Sequence, residues 1–386
     1  MINRILSSEI TRLANSFPVL ILSGPRQSGK TTLCKMAFPD YDYINLEMLT
    51  TRQAVAEDPM SFLLQHRHGV IIDEAQTLPD LFSYVQVVVD EHPDYRYILT
   101  GSNNFLLMEK VSQSLAGRAA VLTLLPLSLA ELGGATEWST DDLLIRGGYP
   151  AVWGAEQSPS DVYRNYYTTY VERDLHQLVN VKDLSIFQQF IMLAAGRVST
   201  IVNAASLSAE LGVSAVTVSH WLSVLKASYI LFELPPYFRN VGKRILKKPK
   251  LYFHDTGLAC HLLGINTPEQ LAVHPLRGQL FENMVVSEFV KRRYNQCDQH
   301  PRLYYYRDNL QKEVDLIEER TFRQLEAYEI KSARYTNDSF GSGLRYFKKM
   351  FGEEVVSMQV LYDGEDWDAS PVGYRNVRSL FCGIES

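Results

Sequence analysis

Short apolar runs alternate with stretches of helical spacing along the first third of the chain. Apolar residues at helical intervals over 3–15 predict an N-terminal helix. Five further runs are typical of buried strands, and they lie at Val19–Leu22, Tyr43–Leu46, Val70–Ile72, Tyr97–Leu99 and Val121–Leu124. Helical patterns such as Pro79–Glu91 separate them. This alternation predicts a parallel sheet with helices on both faces.

The pattern changes after this first domain, residues 1–126. Residues 127–198 are predicted to be a mostly helical connector. Two helical patterns and then two strand patterns follow, at Ala205–Leu211, Ala215–Lys226, Tyr229–Leu234 and Lys250–Phe253. Two short helices around a turn, followed by two strands, predict a winged helix-turn-helix over residues 199–268.

The last part of the chain, residues 269–386, mixes one helix with several strands. An amphipathic pattern over Gly278–Arg293 predicts the helix, and alternating patterns predict strands at Leu303–Arg307, Glu313–Ile317 and Leu325–Lys331. The predicted fold class is therefore α/β. It consists of a parallel-sheet domain, a helical and winged-helix region, and a second α/β domain.

The first predicted strand runs into the pattern G-x-x-x-x-G-K-T at residues 24–31. Gly24 and Gly29 carry no Cβ and tolerate positive φ, so successive N–H groups can surround an anion. Lys30 can reach the β- and γ-phosphates of a nucleotide, and the Thr31 hydroxyl can ligate Mg²⁺. Because a strand precedes the loop and a helix follows it, a plain glycine turn is the weaker interpretation. The candidate nucleotide-binding residues are Gly24, Pro25, Arg26, Gln27, Ser28, Gly29, Lys30, Thr31 and Thr32.

Polar residues also end two other predicted strands. The run Val70–Ile72 ends in Asp73 and Glu74, at the edge of a parallel sheet where ligands bind. Asp73 is expected to hold Mg²⁺, and Glu74 to polarise a water molecule that attacks the γ-phosphate. Ser102 and Asn103 follow the fourth strand and could reach the same place, although a capping role is equally open.

Composition narrows the class of protein. Hydrophobic residues make up 46% of the 386 residues and charged residues 21%, as in a soluble globular chain of two or three domains. Four scattered cysteines without a C-x-x-C pair indicate a reducing cytoplasm. The first residues do not read as a signal peptide, and no apolar run approaches the ~20 residues that span a bilayer. We therefore expect a cytoplasmic protein.

The net charge of the chain is −6, which argues against a surface that binds nucleic acid indiscriminately. One segment is nevertheless strongly basic. Residues 239–250 contain six basic residues and no acidic one, which predicts a loop that contacts phosphates. The second helix of the predicted helix-turn-helix also presents small polar residues on one face. The candidate DNA contacts are Thr217, His220, Lys243, Arg244, Lys247 and Lys248. A winged helix that binds a protein is the alternative.

Acidic residues and one lysine are spaced as in a metal-dependent site near the end of the chain. On a strand, Glu329 and Lys331 project to the same face, where Asp315 of the neighbouring strand could meet them. Asp315 and Glu329 would bind a second Mg²⁺ or a Mn²⁺ ion, and Lys331 would orient the attacking water. Glu282 from the helix would complete the cluster. Ordinary salt bridges are the alternative.

These motifs together resemble prokaryotic AAA-superfamily ATPases that carry a C-terminal companion domain of unknown function. The resemblance rests on Leu22–Thr32, Ile72–Gln76, Leu99–Ser102, Leu115–Arg118 and Leu125–Ser128, and it continues through Arg146–Pro150, Tyr170–Asp174 and Gly278–Asn283. It implies ATP and Mg²⁺ as ligands and ATP hydrolysis as the activity. Arg118 would then be an arginine finger lent to the next subunit of a homo-oligomer, with a surface arginine as the alternative.

The last domain resembles the PD-(D/E)xK nucleases, with Val314 where the namesake proline would stand. We therefore expect an ATPase that acts on DNA through a winged helix and a restriction-endonuclease-like domain. The alternative is an ATP-controlled regulatory switch, in which the C-terminal modules bind a protein partner and catalyse nothing.

Overall fold

The computed structural model describes residues 2–102, 113–133, 137–154, 157–170, 184–239 and 248–382. Internal contacts divide the chain into two units. The first unit comprises Met1–Leu127, Ala227–Tyr229 and Arg292–Gln299, and the second comprises Ser128–Lys226, Ile230–Lys291 and His300–Ser386. Within the described ranges, no helix combines the length and the apolar character needed to cross a membrane.

The first unit contains a five-stranded sheet with helices on both faces. Its elements are α1 (Ser7–Ser16), β1 (Val19–Ser23), α2 (Lys30–Ala37), β2 (Asp42–Asn45), α3 (Leu49–Glu57), α4 (Pro59–Gln65), β3 (Val70–Asp73), α5 (Leu81–Glu91), β4 (Tyr97–Gly101) and β5 (Ala119–Thr123). The strand order is β2-β3-β4-β1-β5, and every pairing is parallel. The prediction of a parallel α/β sheet is therefore confirmed.

The central strand β1 shows why these strands read as unbroken apolar runs. Val19 and Ile21 pack into a cluster with α5 on one face, whereas Leu20 and Leu22 pack with α1 and α2 on the other. Each fully buried aliphatic side chain stabilises the fold by about 1.5–3 kcal/mol. Because both faces are covered, successive residues are all apolar, and the polar residues can begin only where the strand ends.

The second unit is built on two further sheets. The elements that follow β5 are α6 (Thr140–Arg146), α7 (Pro150–Gly154), α8 (Pro159–Tyr166), α9 (Leu184–Ala195), β6 (Thr200–Ile201), α10 (Ala204–Leu211), α11 (Ala215–Ala227), β7 (Leu231–Leu234), β8 (Lys250–Phe253), α12 (Thr256–Leu262), α13 (Pro268–Ala272), α14 (Arg277–Asn295), β9 (Leu303–Arg307), β10 (Glu313–Thr321), β11 (Gln324–Lys331), α15 (Ser342–Phe351), β12 (Val355–Tyr362), β13 (Gly373–Asn376) and α16 (Val377–Cys382). The smaller sheet has the antiparallel order β6-β8-β7.

The larger sheet of the second unit has the order β13-β12-β11-β10-β9. β9, β10 and β11 are antiparallel neighbours, whereas β11, β12 and β13 are parallel. Its core is aromatic and aliphatic, and α15 contributes the fully buried Leu344 and Phe347. The three strands that the sequence pattern predicted in this region are β9, β10 and β11, although β10 continues to Thr321.

In the second unit, a hydrogen bond connects the glycine motif Arg146–Pro150 to the buried Asp255. Asp255 is 3% exposed, and its Oδ2 accepts a hydrogen bond of 2.6 Å from the Gly148 N–H. Its Oδ1 caps α12 by accepting from the Leu258 N–H at 2.9 Å. Gly147 has a φ of +58°, and a Cβ there would overlap the Tyr163 hydroxyl and the Asp255 carboxylate. The motif Arg146–Pro150 therefore has a structural role.

Candidate functional sites

The glycine loop joins β1 to α2 at the carboxyl edge of the parallel sheet. Gly24 has a φ of +145°, and a Cβ on it would overlap the Leu124 carbonyl oxygen. Gly29, with a φ of +95°, precedes the first residue of α2. Both positions therefore require glycine, for close backbone approach at Gly24 and for left-handed φ at Gly29. The N–H groups in the first turn of α2 have no acceptor within the helix, which makes this end of the helix a site for an anion.

Lys30 lies inside this loop. It is buried, and its Nζ donates to the carbonyl oxygens of Gly24 at 2.9 Å and Pro25 at 2.8 Å. Burial lowers the pKa of Lys30 to about 8, although Glu74 and Asp73 oppose this shift. Ser28 Oγ is also buried and has no hydrogen-bond partner among the residues that the structure describes. A buried ammonium beside an unpartnered hydroxyl is suited to phosphate oxygens.

The other loop residues have different surroundings. Arg26 forms an ion pair of 3.0 Å with Glu47, which lies just after β2. Gln27 is exposed and has a φ of +61°, and Thr32 is exposed on α2. Of the candidate nucleotide-binding residues, Lys30 and Thr31 are the ones whose side chains turn toward the acidic residues at the end of β3.

Asp73 is the last residue of β3, and its carboxylate accepts hydrogen bonds from three hydroxyl groups. Thr31 Oγ1 and the Tyr43 hydroxyl donate to its Oδ2 at 2.7 Å and 2.8 Å, and Thr100 Oγ1 donates to its Oδ1. The neighbouring hydroxyl of Thr31 and carboxylate of Asp73 are hard oxygen ligands of the kind that Mg²⁺ takes, so these residues fit the expected ion. Burial raises the pKa of Tyr43, and its hydrogen bond to Asp73 adds to this, so its hydroxyl stays a donor.

Glu74 follows in the left-handed region, with a φ of +54°. Its Oε2 accepts a hydrogen bond of 3.1 Å from Ser102 Oγ at the end of β4, and the side-chain amide of Gln76 donates to the same oxygen. The unusual backbone conformation turns the carboxylate away from the strand, and two donors hold it there. Ser102 thus lies beside Glu74, and its predicted role near the γ-phosphate stays a prediction. Asn103 lies outside the described residues.

Some residues of this site were not found by sequence reasoning. Tyr43 lies in β2, and no local pattern indicates that its hydroxyl donates to Asp73. Arg4 donates to the carbonyl oxygens of Ser28 at 2.7 Å and Leu125 at 2.7 Å, and so it fastens the glycine loop to the segment after β5. Its partners are 24 and 121 residues away in the chain, so no local pattern predicts this contact.

Arg118 lies on the surface just before β5. Its guanidinium makes a two-point contact with Asp90, with Nε–Oδ1 2.6 Å and Nη2–Oδ2 2.8 Å. Hydrogen bonding to Asp90 raises the pKa of Arg118 and lowers that of Asp90. Within this chain Arg118 is a surface arginine, and its role as an arginine finger stays a prediction.

The four residues of the predicted metal-dependent site lie close together in the second unit. A cavity of about 450 Å³ is lined by Glu282 of α14, Asp315 of β10 and Lys331 of β11, among others. Lys331 Nζ lies 2.6 Å from Glu329 Oε1 and 3.7 Å from Asp315 Oδ2. Burial and the nearby Asp315 together raise the pKa of Glu329 to about 8, although Lys331 opposes this. We refer to this space as the acidic cavity.

A second lysine, which sequence reasoning missed, also enters the acidic cavity. Lys250 of β8 places its Nζ 3.0 Å from Glu282 Oε1, 2.6 Å from Glu313 Oε1 and 4.0 Å from Asp315 Oδ1. Burial lowers the pKa of Lys250, but the three carboxylates outweigh burial and hold it above its ordinary value. Burial also raises the pKa of Glu282 to about 7, although Lys250 opposes this. Lys250 is the last residue of the basic run 239–250, and its side chain pairs with these carboxylates.

This arrangement does not match the second divalent ion expected between Asp315 and Glu329. Asp315 Oδ2 accepts a hydrogen bond of 2.8 Å from the Ile330 N–H, and its Oδ1 faces Lys250. In the part of the chain that the structure describes, no group of three or more His, Cys, Asp or Glu side chains is placed to hold a metal ion. The acidic residues are paired with lysines, and this geometry supports no metal-dependent step.

The candidate DNA contacts are only partly described. Ser214 Oγ accepts from the Thr217 N–H at 3.0 Å, and the two hydroxyls lie 2.8 Å apart, so Thr217 takes part in the N-terminal cap of α11. His220 and Lys248 are exposed. Three further candidates lie outside the described residues, namely Lys243, Arg244 and Lys247.

A larger cavity lies near Lys248 in the second unit. It has a volume of about 1210 Å³, and its lining includes the cationic side chains of Arg239, Lys248 and Arg307. Aromatic rings from β9 and α15 form part of its wall, with Arg239 Cζ 5.0 Å from the centre of the Phe351 ring. We refer to this space as the basic cavity.

Three family models match successive parts of the chain. Residues 16–133 match a model described as an AAA domain. Residues 137–269 and 277–375 match two models that are each described as a domain of unknown function, DUF8612 and DUF4143. The glycine loop, Asp73 and Glu74 all lie within the AAA match, so the first unit contains an AAA-type P-loop domain.

Relatives cover nearly the whole chain. An uncharacterized protein of Mycobacterium tuberculosis is 31% identical over 364 residues, which cover 93% of this chain and 79% of that protein, and one of Mycobacterium bovis gives the same values. Among solved structures, a Walker-type ATPase of Pyrococcus abyssi has a TM-score of 0.43 and 15% identity, and the match covers 67% of this chain and 94% of that one. The mycobacterial relatives show the family: this chain, in which an AAA domain is followed by two domains of unknown function, belongs with these uncharacterized proteins.

Proposed function

We propose that the first unit binds ATP with Mg²⁺ and hydrolyses it. The main support is the convergence of the buried Lys30, the Thr31–Asp73 pair and the positioned Glu74 at one glycine loop. Lys30 and the N–H groups of the loop would hold the phosphates. Thr31 Oγ1 and Asp73 would hold Mg²⁺, which when bound supplies positive charge to the phosphoryl oxygens. Glu74, held by Ser102, would orient and polarise the attacking water.

Arg118 extends this proposal to a homo-oligomer. Its pair with Asp90 is exposed at the surface, and such pairs are worth only about 0–1 kcal/mol. In a homo-oligomer, Arg118 would therefore leave Asp90 and contact the γ-phosphate held by a neighbouring copy. The negative charge that develops there during phosphoryl transfer would attract the guanidinium more strongly than Asp90 does.

Phosphate release by the full chain tests the proposal. The wild type is expected to hydrolyse ATP only with Mg²⁺, and Lys30→Ala to lose at least about 100-fold in rate, because the loop loses its buried ammonium. Lys349→Ala is the matched control, since Lys349 is an exposed lysine of α15. Hydrolysis by Lys30→Ala at the wild-type rate would contradict the proposed site. If the wild type bound ATP but did not hydrolyse it, the result would favour the alternative of an ATP-controlled regulatory switch.

A second proposal concerns nucleic-acid binding by the other unit, driven by ATP hydrolysis in the first. The supporting observation is the basic cavity, whose wall contains Arg239, Lys248 and Arg307 together with aromatic rings. Phosphate contacts from lysine and arginine release counterions, so affinity that rests on them falls steeply with salt. The cavity thus suits a single strand of nucleic acid better than an uncharged ligand.

Fluorescence anisotropy with labelled single- and double-stranded DNA, repeated over a salt series, tests this second proposal. The wild type is expected to bind single strands with a negative salt slope, and Arg239→Ala combined with Lys248→Ala to reduce that slope by about 2. Lys226→Ala, which removes a lysine of α11 that pairs with Glu233, is the control. Absence of binding at low salt would favour the alternative, in which the second unit binds a protein partner.

A further inference from the structure

Lys250 reaches the acidic cavity from a different sheet. It is the first residue of β8, where it pairs with Ile201 of β6 and Leu234 of β7. Its side chain is only 4% exposed and ends among carboxylates that belong to α14 and β10. The cation and the acidic residues are thus supplied by separate parts of the second unit.

The ammonium of Lys250 lies close to the carboxylate oxygens of the acidic cavity. Its Nζ lies 2.6 Å from Glu313 Oε1 and 3.0 Å from Glu282 Oε1. Buried carboxylates need a compensating cation, because charge taken out of water is costly. A divalent ion would need the same oxygens as ligands, and it could not approach them within about 2.6 Å while the ammonium is in place.

The cavity still has features of a cation site. Its volume of about 450 Å³ is ample for an ion with several water molecules. The donors are carboxylate oxygens, the ligands that Mg²⁺ and Mn²⁺ prefer. What the arrangement lacks is a vacant place between the acidic groups.

We propose that Lys250 is the cation of the acidic cavity, and that its ammonium excludes divalent metal ions from the oxygens of Glu282, Glu313 and Asp315. Replacing Lys250 by an uncharged residue then turns the cavity into a binding site for a divalent cation. The same exclusion explains why the carboxylates that resemble a nuclease centre are not arranged around a metal position. Lys250 has this effect whether or not the chain hydrolyses ATP or binds nucleic acid.

Lys331 does not have the same effect. Its side chain is 33% exposed, and its Nζ lies 2.6 Å from Glu329 and farther from Asp315. Lys331 is also on the sheet that carries Asp315, whereas Lys250 comes from the smaller sheet.

Mn²⁺ titration of the full chain, stripped of metal and without nucleotide, tests the proposal by calorimetry. Lys250→Met is expected to take up one more Mn²⁺ per chain than the wild type, whose acidic cavity should take up none. Adding Asp315→Asn to Lys250→Met should abolish the gain. Lys226→Met is the matched control because it also removes a lysine from an ion pair, at 2.7 Å from Glu233, and it should titrate like the wild type.

Two results would overturn the proposal. One is a folded Lys250→Met variant, with an unchanged circular dichroism spectrum, that takes up no additional Mn²⁺. The other is Mn²⁺ uptake by the wild type that Asp315→Asn removes, because metal would then bind with Lys250 in place. This second comparison does not need Lys250→Met to fold: uptake contradicts the exclusion by Lys250, and no Asp315-dependent uptake supports it.

Discussion

Glu74→Gln is expected to hydrolyse ATP at least about 100-fold more slowly than the wild type and to bind it with similar affinity. Glutamine keeps the size of the side chain and can still accept the hydrogen bond from Ser102, so the end of β4 need not move. It cannot accept a proton from the attacking water. Since Lys30, Thr31 and Asp73 are untouched, the phosphates and Mg²⁺ should be held as before.

Two measurements separate these effects. Single-turnover phosphate release reports the chemical step, and titration with a fluorescent ATP analogue reports binding. Glu91→Gln, at an exposed glutamate that ends α5, makes the same chemical change away from the site. Wild-type turnover by Glu74→Gln would remove Glu74 from the mechanism, and a loss of ATP affinity equal to the loss of rate would assign it to binding.

The sheet of the first unit and its glycine loop could be predicted because their causes are local. A parallel strand with both faces buried is an unbroken apolar run, and β1, β3 and β4 each have one. The residues that end these strands then meet at one edge of the sheet. For this reason the neighbourhood of Asp73, Glu74 and Ser102 followed from sequence, while the hydroxyl of Tyr43 on the edge strand β2 did not.

The acidic cavity could be predicted only in part from the sequence. The spacing of Glu329 and Lys331 on one strand, beside Asp315 on the next, brought these residues together correctly. The second divalent ion finds no support, because a lysine from a separate sheet pairs with the carboxylates. Lys250 stood in a basic run that predicted contact with phosphates, and its position depends on the packing of β8, which no local pattern encodes.

The motif Arg146–Pro150 is a second case, since it carries the family resemblance and its glycines make structural contacts. Gly147 adopts a left-handed φ, and the Gly148 N–H donates to Asp255, which lies 107 residues later in the chain. The glycines are thus explained by backbone approach to a buried carboxylate. Sequence separation hides this pairing, although the cost of breaking it should be large.

Asp255→Ala is expected to lower the free energy of unfolding of the second unit by about 3–5 kcal/mol. The carboxylate is 3% exposed and accepts from the N–H groups of Gly148 and Leu258. Alanine leaves both buried donors without an acceptor, at about 1–3 kcal/mol each, and α12 also loses its N-terminal cap. The loss of one buried negative charge offsets only part of this.

The four tryptophans make this measurement selective, because Trp138, Trp153, Trp221 and Trp367 all belong to the second unit. Tryptophan fluorescence during urea unfolding therefore follows that unit within the full chain, and ATP binding serves as the readout of the first.

Ser158→Ala is the matched control, since Ser158 caps α8 through the Asp161 N–H in an exposed position. It should cost about 1 kcal/mol, as exposed caps usually do. Because both variants remove a helix cap, any additional loss in Asp255→Ala measures the buried contact to Gly148. If the two losses were equal, Asp255 would be an ordinary cap, and the conformation of Gly147 and Gly148 would need another cause.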